Sequence, residues 1–268
     1  MLASKGSVVV FGAGKVYDIP IDELARDFDK VVLVDIDGAA LERTQSAIDK
    51  KHRNKVEIRT KDLTGITAYM QKEIARIIAE ANSPDSASDQ LVEFFNSYYL
   101  PEGVQFLNDG EQVDMLVSGM VLTQIVYSPI TYAGTEFVKK FGTQHAKTLN
   151  KKEYQLAYSR WLVQVQHDHI AALGQQAGLV VLTSETGVIK TTINFQGQIY
   201  AASNFLQMIG AMTLLDRIPS NYDVLHKDSW LWVRQLPRIK NPKAKRPLIK
   251  QGEQATVEGL ILKPNNQL

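Results

Sequence analysis

Within its first eighty residues the chain changes hydrophobic period three times, from short β-branched runs to stretches with apolar residues every three or four positions. Such alternation is met by parallel strands joined through crossover helices, because a strand apolar at every position needs cover on both faces. Ser7–Phe11 is the first apolar run, and Pro20–Phe28 follows as a helix with Ile21, Leu24, Ala25 and Phe28 on one side. Val31–Asp35 predicts the second strand and Gly38–Lys50 the second helix, with Asp37 as its N-cap. Val56–Lys61 and Ile66–Ala81 complete the third unit. Further on, Val113–Ser118 and Leu179–Glu185 predict two more buried strands around a long amphipathic helix at Glu153–Gln176, with Gly178 as its C-cap. Asn82–Ser88 reads as a break before a helical piece at Leu91–Tyr99. Tyr127–Lys152 reads as an irregular segment, placed to act as a lid or to build a substrate site. Ala201–Leu215 predicts helix, and Trp230–Leu236 with Thr256–Lys263 a closing strand pair.

Composition narrows the chemistry. With 268 residues, 44% hydrophobic and 22% charged, the chain suits an ordinary folded domain with a sizeable core. Thirty basic against 29 acidic residues give a net charge of +1, which argues against a dedicated nucleic-acid partner. Cysteine is absent, so disulfides, thiolate metal sites and a cysteine nucleophile are excluded. No apolar run approaches the roughly 18 residues of a membrane span, and Met1–Gly6 leads directly into a strand without a signal-peptide core. The expectation is a cytoplasmic protein with no membrane partner. His167 and His169 stand two apart on the long helix, pointing to different faces, so they do not form a helical metal pair and no metal site is expected. Residues 234–250 collect seven basic side chains and no acid, the pattern of a solvated loop.

The sharpest constellation is Val8-Val9-Val10-Phe11-Gly12-Ala13-Gly14-Lys15-Val16-Tyr17-Asp18, a strand entering a Gly-x-Gly turn that opens a helix. Glycines there allow a sharp turn and close approach of the backbone to a ligand. Asp35 ends the next strand about twenty residues on, where a carboxylate can accept both hydroxyls of a ribose, and Asp62 ends the third, within reach of an adenine amino group. Each residue alone also has a purely structural reading, the glycines as a tight turn and the aspartates as helix caps. A dinucleotide fingerprint would place glycine where Tyr17 stands, and Asp18 sets a carboxylate at the helix start, unfavourable beside a pyrophosphate but suited to a cationic amino-acid group.

These residues resemble the class I, Rossmann-like S-adenosylmethionine-dependent methyltransferases. The resemblance spans roughly residues 7–185 and rests on FGAGKVYDIP, VDID, the KDL at 61–63, and VDMLVSGMVLTQI at 113–125. It implies an α/β fold with a Rossmann-like, doubly wound, mostly parallel seven-stranded sheet and a final antiparallel strand pair. One domain over 1–268 is expected, with a helical insertion near 65–110 and a lid or substrate segment at 127–152. It implies S-adenosyl-L-methionine as cofactor, held by Phe11, Gly12, Ala13, Gly14 and Asp18, by Asp35 with Ile36, by Asp62 with Leu63, and by Ser118, Gly119 and Met120. Tyr17, Gln124 and Tyr127 are placed to wall a substrate site. The Asn/Asp-Pro-Pro-Tyr tetrad of many amino-group methylators is missing, which argues against methylation of a base or glutamine amide, and the expected reaction is methyl transfer to a small-molecule or unidentified acceptor. Catalytic residues are not identified by sequence. Two alternatives stay open: a noncatalytic nucleoside-binding regulator, and an NAD-dependent oxidoreductase.

Overall fold

β-branched residues dominate the first strands, and the chain folds them into the middle of a parallel sheet. The computed structural model describes residues 5–14, 19–63, 65, 67–97, 107, 111–125, 127–193, 199–204, 215–235 and 250–265. β1 (Ser7–Phe11) lies between β2 (Lys30–Asp35) and β4 (Val113–Gly119), with Phe11 opposite both Val34 and Ser118. β3 (Val56–Thr60) extends the sheet beyond β2, and β5 (Ala177–Ile193) beyond β4, all parallel. β8 (Lys250–Pro264) then pairs antiparallel with β5, and β7 (Tyr222–Gln235) antiparallel with β8. The path β3-β2-β1-β4-β5-β8-β7 is the expected seven-stranded, doubly wound arrangement, and an eighth strand, β6 (Ile199–Asn204), pairs with β5 off that path. Residues 201–204, expected to be helical, belong to β6.

Crossover helices cover both faces. α1 (Ile21–Asp27) and α2 (Gly38–Ala47) pack Ile21, Ala25 and Leu41 against Val8, Val10 and Leu33. The alternate positions Val9 and Phe11 face the other side, where α5 (Val121–Gln124) contributes Leu122 and α7 (Lys152–Leu173) contributes Ile170 and Leu173. Asp37 caps α2 as its sequence predicts, accepting the Ala40 N–H at 3.0 Å.

A second helical layer forms from α3 (Thr67–Glu80), α4 (Pro84–Ser97), α6 (Tyr127–Phe141) and the first half of α7, around Ile74, Leu91, Phe95, Phe137, Tyr154 and Trp161. The expected break at Asn82–Ser88 is shorter than its composition suggests. Ser83 accepts the Ser86 N–H at 3.1 Å, and Pro84 opens α4 where a missing N–H costs nothing. The segment expected to be irregular is α6 followed by 3-10 turns at Thr143–Asn150, because Phe137 and its neighbours find an apolar partner in α3. The long helix ends at Gly174, with Gly178 already inside β5. Beyond Thr183, the last residue paired with β4, β5 continues to Ile193 against β8, so the last strands project past the carboxyl ends of the parallel strands. Residues 236–249, most of the basic segment, lie outside the described residues, as do Tyr17 and Asp18. Among the described residues no helix is long and apolar enough to cross a membrane.

Candidate functional site

Sheet register sets the site. Phe11, Asp35, Thr60 and Gly119 are the last residues of four parallel strands, and the order reverses between β1 and β4, the position at which open α/β sheets form a ligand crevice. A cavity of about 170 Å³ opens there, lined by Gly12 of the glycine turn, Asp35 and Ile36, Lys61 to Leu63, Thr67, and Val121, Gln124 and Ile125.

Asp35 organises its rim. One carboxylate oxygen accepts the Gly14 N–H at 2.8 Å and the other accepts the Asp37 N–H at 2.9 Å. Each oxygen keeps a further lone pair, so the group can hold the turn and still accept from a ligand in the cavity it lines. The Thr44 hydroxyl donates to the Gly14 carbonyl at 2.7 Å, and the Ala13 N–H reaches the Val34 carbonyl at 3.2 Å, fixing the rest of the turn. Gly12 has φ +70°, and a Cβ there would lie 2.7 Å from the Gly119 carbonyl oxygen and 2.7 Å from Val121. Glycine at 12 is therefore required by the chain's own packing. Asp62 accepts the Thr67 N–H at 2.8 Å, tying the β3 exit to the start of α3. Glycine turn and carboxylates thus serve the chain's own packing and capping while Gly12, Asp35 and Asp62 also line the cavity.

The apolar part of the groove is unusual in its exposure. Ile36 stands 59% exposed beside Leu63, Val121 and Ile125. An exposed isoleucine among less exposed apolar neighbours offers a flat ring an apolar surface, while Asp35, Asp62, Thr67 and Gln124 offer hydrogen-bonding edges. These residues fit a nucleoside with an uncharged sugar edge.

The other predicted positions are arranged differently. Phe11 and Ala13 are fully buried on opposite faces of the sheet, and Ser118 is fully buried toward α7, so these three present only backbone to a ligand. Gly119 closes against the glycine turn. Met120 is 6% exposed and adopts φ 56°, a left-handed conformation that costs a non-glycine residue roughly 1–2 kcal/mol. Its N–H donates to both the carbonyl (3.1 Å) and the hydroxyl (3.2 Å) of Thr183. Gln124 joins the groove, whereas the Tyr127 side chain lies outside the described residues.

Below the turn, Ser118 Oγ and His169 Nε2 are 3.0 Å apart, both buried. Burial pushes the His169 imidazole down to about 4, so it is neutral at physiological pH. His167 is half-exposed beside Asp168, on the other side of the helix. Sequence reasoning missed Lys61, Thr67, Val121, Ile125 and Thr183. Lys61 lies in the KDL stretch and Val121 and Ile125 in the 113–125 stretch, whereas Thr67 and Thr183 have no signal short of the folded chain. Gln166 was legible in principle, since it falls one turn before His169 on the apolar side of α7.

No family model matches this chain, and no curated protein matches it. Among solved structures it is similar to an S-adenosylmethionine-dependent methyltransferase from Clostridium acetobutylicum, at 9% identity and TM-score 0.39, covering 98% of this chain and 85% of that one. A counterpart from Anabaena variabilis is 12% identical with TM-score 0.38, covering 97% and 77%. The N-methyltransferase NodS from Bradyrhizobium japonicum, in complex with S-adenosyl-L-homocysteine, is 7% identical with TM-score 0.36, covering 94% and 78%. With superposition this loose, strand order and register carry the fold assignment: a Rossmann-like, doubly wound sheet closed by an antiparallel strand, as the class I methyltransferase resemblance implies.

Proposed function

We propose that the groove binds S-adenosyl-L-methionine and that the protein transfers its methyl group to a small-molecule acceptor. The observation that carries this reading is the Asp35 carboxylate, fixed at the end of β2 by two backbone N–H groups while lining the groove beside exposed Ile36. In this reading Asp35 accepts the ribose hydroxyls, Ile36 and Leu63 flank the adenine, and Asp62 meets its amino group. The glycine turn and the β4 exit border the methionine portion. The cofactor supplies an activated methyl on a sulfonium, which leaves the chain to orient the acceptor and exclude water. In this reading Val121, Gln124 and Ile125, which line the same cavity, help to wall in the acceptor.

Calorimetry with S-adenosyl-L-methionine and S-adenosyl-L-homocysteine tests the reading. Micromolar binding is expected, weakened at least about tenfold in Asp35→Ala, a loss of roughly 1.4 kcal/mol or more. Absence of heat with both ligands, alongside binding of NAD, would overturn it in favour of a dinucleotide site. Transfer of labelled methyl groups into a metabolite extract separates an enzyme from a noncatalytic binder, which should transfer none.

A further inference from the structure

The Met120 turn is gripped from beneath. Gln166 and His169 lie one turn apart on α7, 0% and 1% exposed, beside a mainly apolar layer of leucine, isoleucine, valine and Phe11. Gln166 Nε2 donates to the Leu122 carbonyl at 2.6 Å, and His169 Nε2 meets Ser118 Oγ at 3.0 Å. Ser118 and Leu122 stand two residues before and two residues after Met120, the only non-glycine residue with positive φ among the described residues. Thr183 takes the Met120 N–H from the third side.

Polar side chains in such a layer add no packing that leucine, methionine or phenylalanine would lack, and their burial is tolerated only when their hydrogen bonds are made. What they add is direction. Contacts on both flanks of the turn oppose its relaxation to negative φ, the conformation a methionine would otherwise prefer. Val121, the next residue, lines the groove and sets its clearance to Gly12. A relaxed turn would move that wall.

We infer that Gln166 and His169 are positioning residues, bracing the Ser118–Leu122 turn from within α7 so that the groove wall matches its ligand. This rests on the reading of the groove as the S-adenosyl-L-methionine site, and it deepens that reading by assigning a role to buried residues that never touch the ligand.

The test uses the full chain with two apolar replacements, Gln166→Met and the paired Ser118→Ala/His169→Phe, the second leaving no orphaned hydroxyl. Two readouts are taken. The first is affinity for S-adenosyl-L-homocysteine, expected to fall about tenfold in either variant, equivalent to about 1.4 kcal/mol. Adding Met120→Gly to Gln166→Met should bring affinity back to within about threefold of Met120→Gly alone, because glycine adopts the left-handed turn unaided. Merely structural damage would not be rescued this way. The second readout needs no ligand: the Met120 methyl resonance in protein labelled with [methyl-13C]methionine, assigned by its loss in Met120→Leu, should move in both replacements. Wild-type affinity together with an unmoved Met120 resonance overturns the inference, as does failure of the glycine rescue. If wild-type protein itself binds no S-adenosyl-L-homocysteine, the cofactor reading fails, and the bracing is decided by the Met120 resonance, an unmoved signal overturning it.

Discussion

Replacing Gly12 by alanine forces a side chain into a left-handed position and brings its Cβ within 2.7 Å of the Gly119 carbonyl oxygen and of Val121. Strain and overpacking together should cost about 2–4 kcal/mol, read as a lowered urea midpoint at unchanged slope. The loss would appear with no ligand present, because the contact is internal to the chain. His169 provides a second residue-level expectation. Its imidazole stands at about 4 in the fold against 6.5 when unperturbed, so unfolding takes up a proton between those values. The stability this histidine contributes is complete above about pH 6.5 and declines as pH falls toward 4, by about 3 kcal/mol in total. The stability lost between pH 7.5 and pH 4.5 in urea unfolding should be smaller by most of that amount in Ser118→Ala/His169→Phe than in the parent, because every other ionisable group is common to both proteins. An identical acid loss in both would contradict the burial of a neutral His169.

At the scale of elements, one lysine ties α6 to the end of α3. Lys140 on α6 donates from Nζ to the carbonyls of Ile78, Ala79 and Ala81, each at 2.7 Å, at the end of α3 where helical carbonyls lack internal partners. Lys140→Met keeps the aliphatic stem and removes the three donors. Loss of about 1–2 kcal/mol is expected, together with faster amide exchange in the last turn of α3 and unchanged exchange in β1. Apolar packing on the same helix explains why α6 was not legible from composition. Gly134 and Gly142 suggest a loop, yet Ala133 and Phe137 are fully buried against the neighbouring helices. Tertiary packing overrode local preference. By contrast β1, β2, α2 and α3 were readable to within a few residues, because their apolar periods are strict and Asp37 caps where its sequence position says it should. The groove lining was legible at Gly12, Asp35, Ile36, Asp62, Leu63 and Gln124, and not singled out at Thr67, Val121 and Ile125, which α3 and α5 carry in at the exits of β3 and β4.

Across the whole molecule, Tyr222 joins the last strands to the helix that braces the site. Its hydroxyl donates to the Ile170 carbonyl of α7 at 2.6 Å and lies over Gly174, where an added Cβ would sit 2.3 Å from the hydroxyl oxygen. Gly174 has φ −69°, so the demand for glycine is one of space and not of backbone conformation. Gly174→Ala should therefore displace Tyr222 and destabilise the fold by about 1–3 kcal/mol, and Tyr222→Phe combined with it should recover part of the loss in thermal unfolding. If the single variant unfolds at the parental temperature, β7 is not seated on α7 in this way.

The chain's own order of residues determined the repeating strand and helix units, the glycine turn, and the carboxylates at successive strand ends, since period and spacing are local properties that survive without neighbours. Tertiary structure decided which of those carboxylates also tie down backbone, that a glycine-bearing segment becomes helix, and that Gln166 and His169 reach the two flanks of one strained turn. The last of these rests on contacts between residues 44 and 51 positions apart, and only the folded arrangement of helix against sheet brings such residues within hydrogen-bonding distance.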